Sequence, residues 1–536
     1  MSGLFGTMQV SKLGMLAQQS ALNTTSHNMS NVNTPGYSRQ HVILSASRPI
    51  TLAGPGQIGT GVNVVAITRT RDTFLDYQIR RESSNLADSI AKEKYLSEIE
   101  GIFNEPSDTA ISKLLSEYYD AWQTLSLNPG KSEARQVVVQ TAKQLTDLLN
   151  HTHKQLEDTK GNLETEKKQS VEDINNLLDQ INELNKEIKK VTFAGNNPND
   201  LLDSRDLLLD ELSTKFGIDV TSENLNGIKL NADGTDINLI QNTEKDPKYH
   251  LKFDEKSGSY QFVQIDDKGK EITEDKDKNK IDPIDFKPSA GTIGGLLKLD
   301  EKIQSNIDKL NNLAKTIALS TNAIHSDGGG NRNFFAIKDK DGNIIDKYVK
   351  DPNTGDLIAE SGKELNAGNI TINDDLLKDP MLLNVNTSST SGGEDGDRAL
   401  VIAQLRDMKF IIDDETKGVN KDTTLEKFKE NNGYNKGITS EGIVTFENNK
   451  DGASVEGYYK GIINTLGIEA QAAKRDVANK QMLLGSFIEK RESTSGVSID
   501  EETINLVQFN HAYQANAKMI STVDELLDVV INGLKR

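Results

Sequence analysis

The first regularity along the chain is a heptad. Met8, Met15, Leu22 and Met29 recur every seven residues, a spacing that keeps them on one side of a helix, and the pattern predicts a helix from about Leu4 to Asn31. The stop signal is NVNTPGY, Asn31 to Tyr37. Pro35 removes a backbone donor, and Pro35-Gly36 favours a tight turn in which Gly36 is free to take positive φ. Asn33, Pro35, Gly36 and Tyr37 are therefore the candidate turn residues. Val42 to Ile67, punctuated by Pro49, Gly54, Pro55, Gly56, Gly59 and Gly61, reads as extended chain.

From about Asp72 to Phe216 the pattern is helical, broken near Pro106 and Pro129 into three pieces. In the third, Val171, Ile174, Leu177, Leu178, Ile181, Leu184 and Ile188 form a stripe between charged faces, as in a helical hairpin or coiled coil. Around Gly217 the period becomes two, and the chain to about Pro288 alternates apolar with polar residues and carries turn pairs such as Ser257-Gly258 and Lys268-Gly269. A helix over Ile293–Ile324, with Leu296, Leu299, Ile303, Ile307, Leu310, Leu313 and Ile317 on one face, makes that β-rich stretch an insertion. Gly328 to Gly452 is mixed and polar, with a Ser/Thr/Gly tract from Asn386 to Gly393, and reads as exposed outer material.

The last element is sharply bounded. Ser498 and Glu501 make a capping box, Asp500 to Glu502 place negative charge in the first turn, and Gly533 with Lys535 and Arg536 closes the helix. Leu506, Tyr513, Ile520, Leu527 and Leu534 keep a strict heptad, with Phe509, Val523 and Val530 three residues after members of that series. A narrow apolar seam on each terminal helix must be buried somewhere. The candidate interface residues are Met8, Met15, Leu22 and Met29 on one helix and Leu506, Phe509, Tyr513, Ile520, Val523, Leu527 and Val530 on the other. The expected fold is a multidomain α+β chain with terminal helices pairing as a coiled coil, a long helical bundle and inserted β-rich outer modules. Its expected domains are 1–70 with 495–536, a helical domain of 71–217 with 289–327 and 453–494, a β-rich module of 218–288, and an outer module of 328–452.

Charge and composition narrow the function. With 81 acidic against 62 basic residues the net charge is −19, which opposes phosphate neutralisation, so no nucleic-acid partner is expected. No Asp or Glu precedes Asp72, whereas Lys12, Arg39, Arg48, Arg69 and Arg71 fall in that stretch. Two readings stay open: a polar segment with no special role, or a mildly basic surface meeting acidic neighbours. Cysteine is absent, which excludes disulfides, thiolate metal sites and a cysteine nucleophile. There is no apolar run of about 18 residues and no signal-peptide pattern, so a soluble chain without membrane insertion or Sec-type export is expected.

Catalytic and metal chemistry find little support. The histidines are scattered, His151 and His153 do not share a helix face, and the exposed ones read as solvated polar residues. Asp275, Asp277 and Asn279 echo a calcium loop but have Lys280 and Phe286 where Gly and Glu belong; Asp339, Asp341 and Asn343 fail likewise, with Ile344 and Lys350. The glycine-rich stretch after Pro49 lacks a phosphate-loop context. No cofactor, metal or enzymatic activity is expected.

SNVNTPGYSRQ, Ser30 to Gln40, resembles the stretch shared by the bacterial flagellar axial family of rod, hook and hook-associated proteins. Ser495 to Ile531, SGVSIDEETINLVQFNHAYQANAKMISTVDELLDVVI, resembles the C-terminal helix of the same family. NDLLDSRDLLLDELS (Asn199–Ser213), GTIGGLLKLDEKI (Gly291–Ile303) and HSDGGGNRNFF (His325–Phe335) resemble segments of its hook-associated members at the hook-filament junction. The resemblance implies a structural subunit whose terminal helices line a tube, assembling with copies of itself, with hook protein and with an adjacent hook-associated junction protein. It also implies secretion by the flagellar type III exporter, a cytoplasmic export chaperone, and an extracellular place on the flagellum. The alternatives are another axial subunit, a hook or distal rod protein, and, outside the family, a coiled-coil surface adhesin.

Overall fold

The computed structural model describes residues 3–533 apart from 53–55, 104–109, 244, 267, 275–279, 328–331, 340, 346–347, 351–356, 360–364, 388–393, 415, 435–436 and 439–441. Pro106, the Asp275–Asn279 motif, Gly54, Pro55, Leu534 and most of the Asn386–Gly393 tract lie outside the described residues.

Helix α1 spans Leu4–Ser30. Strands β1 (Gln40–Ala46) and β4 (Val62–Arg69) pair antiparallel, with an irregularity between Ile43 and Leu44. Between them β2 (Ile50–Leu52) and β3 (Gly56–Ile58) form a second antiparallel pair, so the extended stretch is a nested hairpin. Then come α2 (Thr73–Phe103), α3 (Ile111–Leu127), α4 (Ser132–Phe193) and α5 (Asn199–Lys215). The expected three helical pieces are therefore four. The additional break is GNNP, where Gly195 takes φ 84° and Pro198 cannot donate to the preceding turn.

The hairpin of β5 (Ile218–Ser222) with β6 (Ile228–Ala232), and the sheet of β7 (Lys248–Asp254), β8 (Ser259–Ile265) and β9 (Ile284–Phe286), form the inserted β module. Helix α6 (Gly291–His325) follows. Gly291 is required where it stands: its φ is 78°, and a Cβ there would lie 2.4 Å from the Lys215 carbonyl oxygen. The segment after α6 carries the short helices α7 (Asp374–Lys378), α8 (Asp397–Gln404) and α9 (Leu425–Asn431), and the chain ends with α10 (Val455–Ser495) and α11 (Ile499–Asn532). Expected as exposed outer material, it instead buries Phe335, Ile370, Phe410, Phe428 and Phe446 in one core with α3 and α6, because these apolar side chains are spread among its polar turns.

The chain divides into two compact units. The first takes residues 1–89, 167–295 and 476–536. Its core joins Ile174, Leu178 and Ile181 of α4 with Leu209 and Leu212 of α5 and with Phe216, Phe262 and Phe286, whose rings meet at centroid distances of 5.0–6.4 Å. The second takes residues 90–166 and 296–475. There the stripe from Leu296 to Ile317 is buried in a core shared with α3, whose Tyr118 and Trp122 pack on Phe334. Asn322 Oδ1 accepts from the backbone amides of Phe334 and Phe335, at 2.9 and 2.8 Å, and so anchors the end of the HSDGGGNRNFF segment. His325 is fully buried, sits at 3.0 Å from the Arg332 carbonyl through Nδ1, and accepts from the Asn384 amide at Nε2. Burial pulls its imidazole down to about 4. The fold is thus multidomain α+β, with paired terminal helices, a long helical domain and inserted β-rich modules. None of the described helices is long and apolar enough to cross a membrane.

Candidate assembly interface

The two terminal helices pack on each other. Asn28 Nδ2 donates to Glu502 Oε2 at 3.2 Å, and a Cβ on Gly14 would lie 2.7 Å from Asn516 Oδ1. Numbers rise along α1 as they fall along α11, so the pair is antiparallel. The fully buried residues of α1 are Ser11, Ala17, Ala21, Thr24, Thr25 and Asn28, small or polar side chains that let a second helix approach closely. Helix α11 begins as its sequence suggests, with Ser498 Oγ accepting from the Glu501 amide.

Leu506, Phe509, Tyr513, Ile520 and Leu527 are half-buried, and Val523 is buried. With successive residues about 100° apart, these positions share one side of α11. A second apolar side lies about 150° round the helix: Ile504, Val507, Met519, Leu526 and Val529. All five are exposed, Ile504 by 67% and Val529 by 65%. Val530 lies about 20° from Val523, at the edge of the seam, and is exposed where α11 runs past the start of α1. On α1, Met8, Met15, Leu22 and Met29 are half-buried. The same arithmetic turns them about 80–140° from the small-residue face, towards exposed Phe5 and Leu16. Both helices therefore carry apolar surface beyond what their mutual packing covers.

The turn after α1 is tied down by polar contacts. Asn33 and Pro35 are exposed. Gly36 takes φ 77°, with the Leu207 Cβ 3.3 Å from where its own Cβ would be. Tyr37 donates to Asn28 Oδ1 at 2.8 Å, and its hydroxyl lies 2.9 Å from His27 Nδ1. Burial first, and then Asp200 and Asp203, raise the Tyr37 hydroxyl well above the usual phenol range. Ser38 donates through N and Oγ to the two oxygens of Asp203. Arg39 donates to Glu502 at 2.8 Å and Glu501 at 2.7 Å, fastening the turn to the start of α11.

Beneath this turn the basic residues of the N-terminal segment meet the aspartates of α5. Arg69 contacts Asp203 and Asp206, both at 2.7 Å. Arg80 contacts Asp206 at 3.1 Å and Asp210 at 2.8 Å, and Arg71 contacts Asp76 at 2.7 Å. Arg491, from the end of α10, closes on Asp210 at 2.6 Å. Burial works against the charge of Asp206, but Arg69, Arg80 and Arg71 outweigh it and hold the carboxyl at about 2. Arg205 goes the other way: burial lowers its guanidinium to about 10, beyond what Asp206 restores. Of the two readings of the acid-free N-terminal stretch, the structure supports acidic neighbours, and for Arg39, Arg69 and Arg71 they belong to the same chain. Sequence reasoning does not single out Asn28, Ser38, Gln40, Asp203, Asp206 or Asp210, and reads Glu502 only as first-turn charge. The available signal was the complement between that stretch and aspartates three and four residues apart on one face of α5. These carboxylates are spent on holding segments together.

Comparison with known proteins places this geometry. Residues 96–335 match the flagellar hook-associated protein FlgK helical domain. Residues 8–37, covering most of α1 and the turn, match the flagella basal body rod protein family. Residues 490–533, the end of α10 with α11, match the flagellar basal body rod FlgEFG protein C-terminal family. The flagellar hook-associated protein 1 of Bacillus subtilis (strain 168) is 30% identical over an alignment 559 positions long, spanning all of this chain and 99% of that protein.

The chain belongs to the flagellar hook-associated protein 1 family.

More distant members of the family, from Salmonella typhimurium and Escherichia coli K12, are each 24% identical and align over 97% of this chain and 98% of their own length. The flagellar hook junction protein FlgK from Burkholderia pseudomallei shares the fold, with TM-score 0.50 and 15% identity over 78% of this chain and all of that one. Membership places the chain among structural proteins of the bacterial flagellum. Two of its matched segments are the two helices that pack together.

Proposed function

We propose that the chain is the structural subunit that joins hook to filament, assembling into a tube through its terminal helices and performing no catalysis. The observation that carries this reading is the two-sided α11: one apolar side is packed towards α1, and the other, from Ile504 to Val529, faces solvent in the single chain. An exposed apolar strip of this length on an otherwise strongly charged protein marks a contact with another protein. Open, head-to-tail repetition of such a contact produces helical tubes. The side of α1 that carries half-buried Met8 and Met15 with exposed Phe5 and Leu16 supplies a second surface for neighbours.

In this reading residues 1–70 and 495–536 line the tube. The neighbours are further copies, hook protein on one side and the adjacent hook-associated junction protein on the other. The chain reaches that place outside the cell through the flagellar type III exporter, held beforehand by a cytoplasmic chaperone on its exposed C-terminal strip by helix-in-groove contact.

Ile504→Asp combined with Leu526→Asp tests the reading. Both residues are exposed, so stability of the purified chain should stay within about 0.5 kcal/mol of the parent. In cells the variant should be exported yet leave hooks without filaments, and the labelled parent should form a band at the distal end of the hook. Normal filaments with the double variant, or label spread along the hook or over the cell surface, would overturn it.

A further inference from the structure

We infer that Glu502 sets the register in which α11 pairs with α1, and thereby the height at which the exposed strip of α11 is presented; the inference builds on the assembly reading above. A heptad seam does not specify its own register. Leu506, Tyr513, Ile520 and Leu527 follow one another every seven residues, so sliding α11 by one heptad replaces one apolar side chain with the next. Opposite Leu506 and Tyr513, α1 buries Ala17, Ala21 and Thr24, and apart from Gly14, which stands against Asn516, these small side chains offer little relief to resist the slide.

Glu502 breaks this degeneracy. It is 2% exposed. Its Oε1 accepts from Arg39 Nε at 2.8 Å and its Oε2 from Asn28 Nδ2 at 3.2 Å. Neither donor is free to follow a slide. Asn28 is held by the Gln40 backbone at both N and O and by the Tyr37 hydroxyl, and the Arg39 amide donates to the Ser495 carbonyl at 2.9 Å. A one-heptad slip would bring Phe509 opposite Asn28, leaving a buried amide without its acceptor and a carboxylate without its donors. The displacement, seven residues at about 1.5 Å each, is about 10 Å. In a tube made by repeating one contact, that error would recur at every subunit.

The chain contains no cysteine, so introduced pairs report register without background. The correspondences of 14 with 516 and 28 with 502 place 17 opposite 513; one heptad away, 17 would meet 520. In the purified full chain, Ala17→Cys with Tyr513→Cys should oxidise about tenfold faster than Ala17→Cys with Ile520→Cys. Adding Glu502→Leu should bring the two rates within about threefold of each other, whereas Glu502→Gln, which keeps an acceptor, should retain the parent's preference. An undiminished preference with Glu502→Leu would overturn the inference. So would loss of both crosslinks, since Glu502 would then hold the helices together without choosing their register. Because the readout needs no flagellum, its failure leaves the junction reading standing, and failure of the junction reading leaves the crosslinks unchanged.

Discussion

Replacing Asp206 by asparagine probes the arginine-aspartate lattice under the N-terminal turn with the smallest possible change: the side chain keeps its shape and loses its charge. Arg69, Arg80 and Arg71 lie 2.7, 3.1 and 3.9 Å from its oxygens. Each arginine retains a second carboxylate, Asp203, Asp210 and Asp76 respectively. Breaking a buried pair costs about 3–5 kcal/mol, and the surviving partners put this case at the lower end, about 3 kcal/mol. The titration of Asp206 gives the same order. Its carboxyl is held at about 2 against an ordinary 3.8, a difference worth about 2–3 kcal/mol. Because the folded-state value is depressed, this stability is present above the unfolded value and is lost as pH falls from about 4 through 2. Urea unfolding followed by far-ultraviolet circular dichroism at pH 7 should find Asp206→Asn weaker by about 3 kcal/mol. Hydrogen exchange should quicken in β4, the start of α2 and α5. The gap from the parent should shrink below about pH 4 and nearly vanish near pH 2. Equal stability at pH 7, or a gap that persists undiminished near pH 2, would refute the reasoning.

Other outcomes follow from single positions. Gly36→Val forces a β-branched residue to φ 77° with Leu207 already 3.3 Å from the new Cβ; it should cost about 2 kcal/mol or more in thermal or urea unfolding, and Gly36→Asn clearly less. Leu506→Asp places a carboxylate on the half-buried side of α11 and should weaken the helix pair by about 2 kcal/mol. Cells carrying it should export the variant and make hooks but no filaments, so normal filaments would count against the seam. His325, buried with its imidazole at about 4, binds fewer protons folded than unfolded between that value and its ordinary 6.5. Stability of its unit should therefore fall by about 3 kcal/mol as pH drops from 7 to 4. The emission of Trp122, whose ring lies 6.4 Å from His325, reports that unit in urea titrations, and His325→Asn should flatten the slope.

What the sequence determined by itself was whatever depends on neighbours along the chain. The period of seven in Met8 to Met29 and in Leu506 to Leu527, the capping box at Ser498, the turn at Pro35-Gly36, and the switch to period two after Gly217 are each set by local geometry and side-chain direction. The GNNP break was just as local and could have been read; Gly195 and Pro198 carry the ordinary stop signals. Terminal motifs that resemble the flagellar axial family were legible for the same reason, being short and contiguous. The tertiary structure decided which faces meet. Nothing in the spacing of Met8, Met15, Leu22 and Met29 says that α1 turns its alanines and threonines towards α11 and leaves its methionines half-exposed, because a stripe reports amphipathicity and not the identity of its partner. Nor could residue order say that Arg69, Arg71 and Arg80 meet Asp203, Asp206 and Asp210, more than a hundred positions away. Charge complementarity has no period, and a buried carboxylate such as Asp206 or Glu502 is tolerable only where folding delivers its arginines to within hydrogen-bond reach.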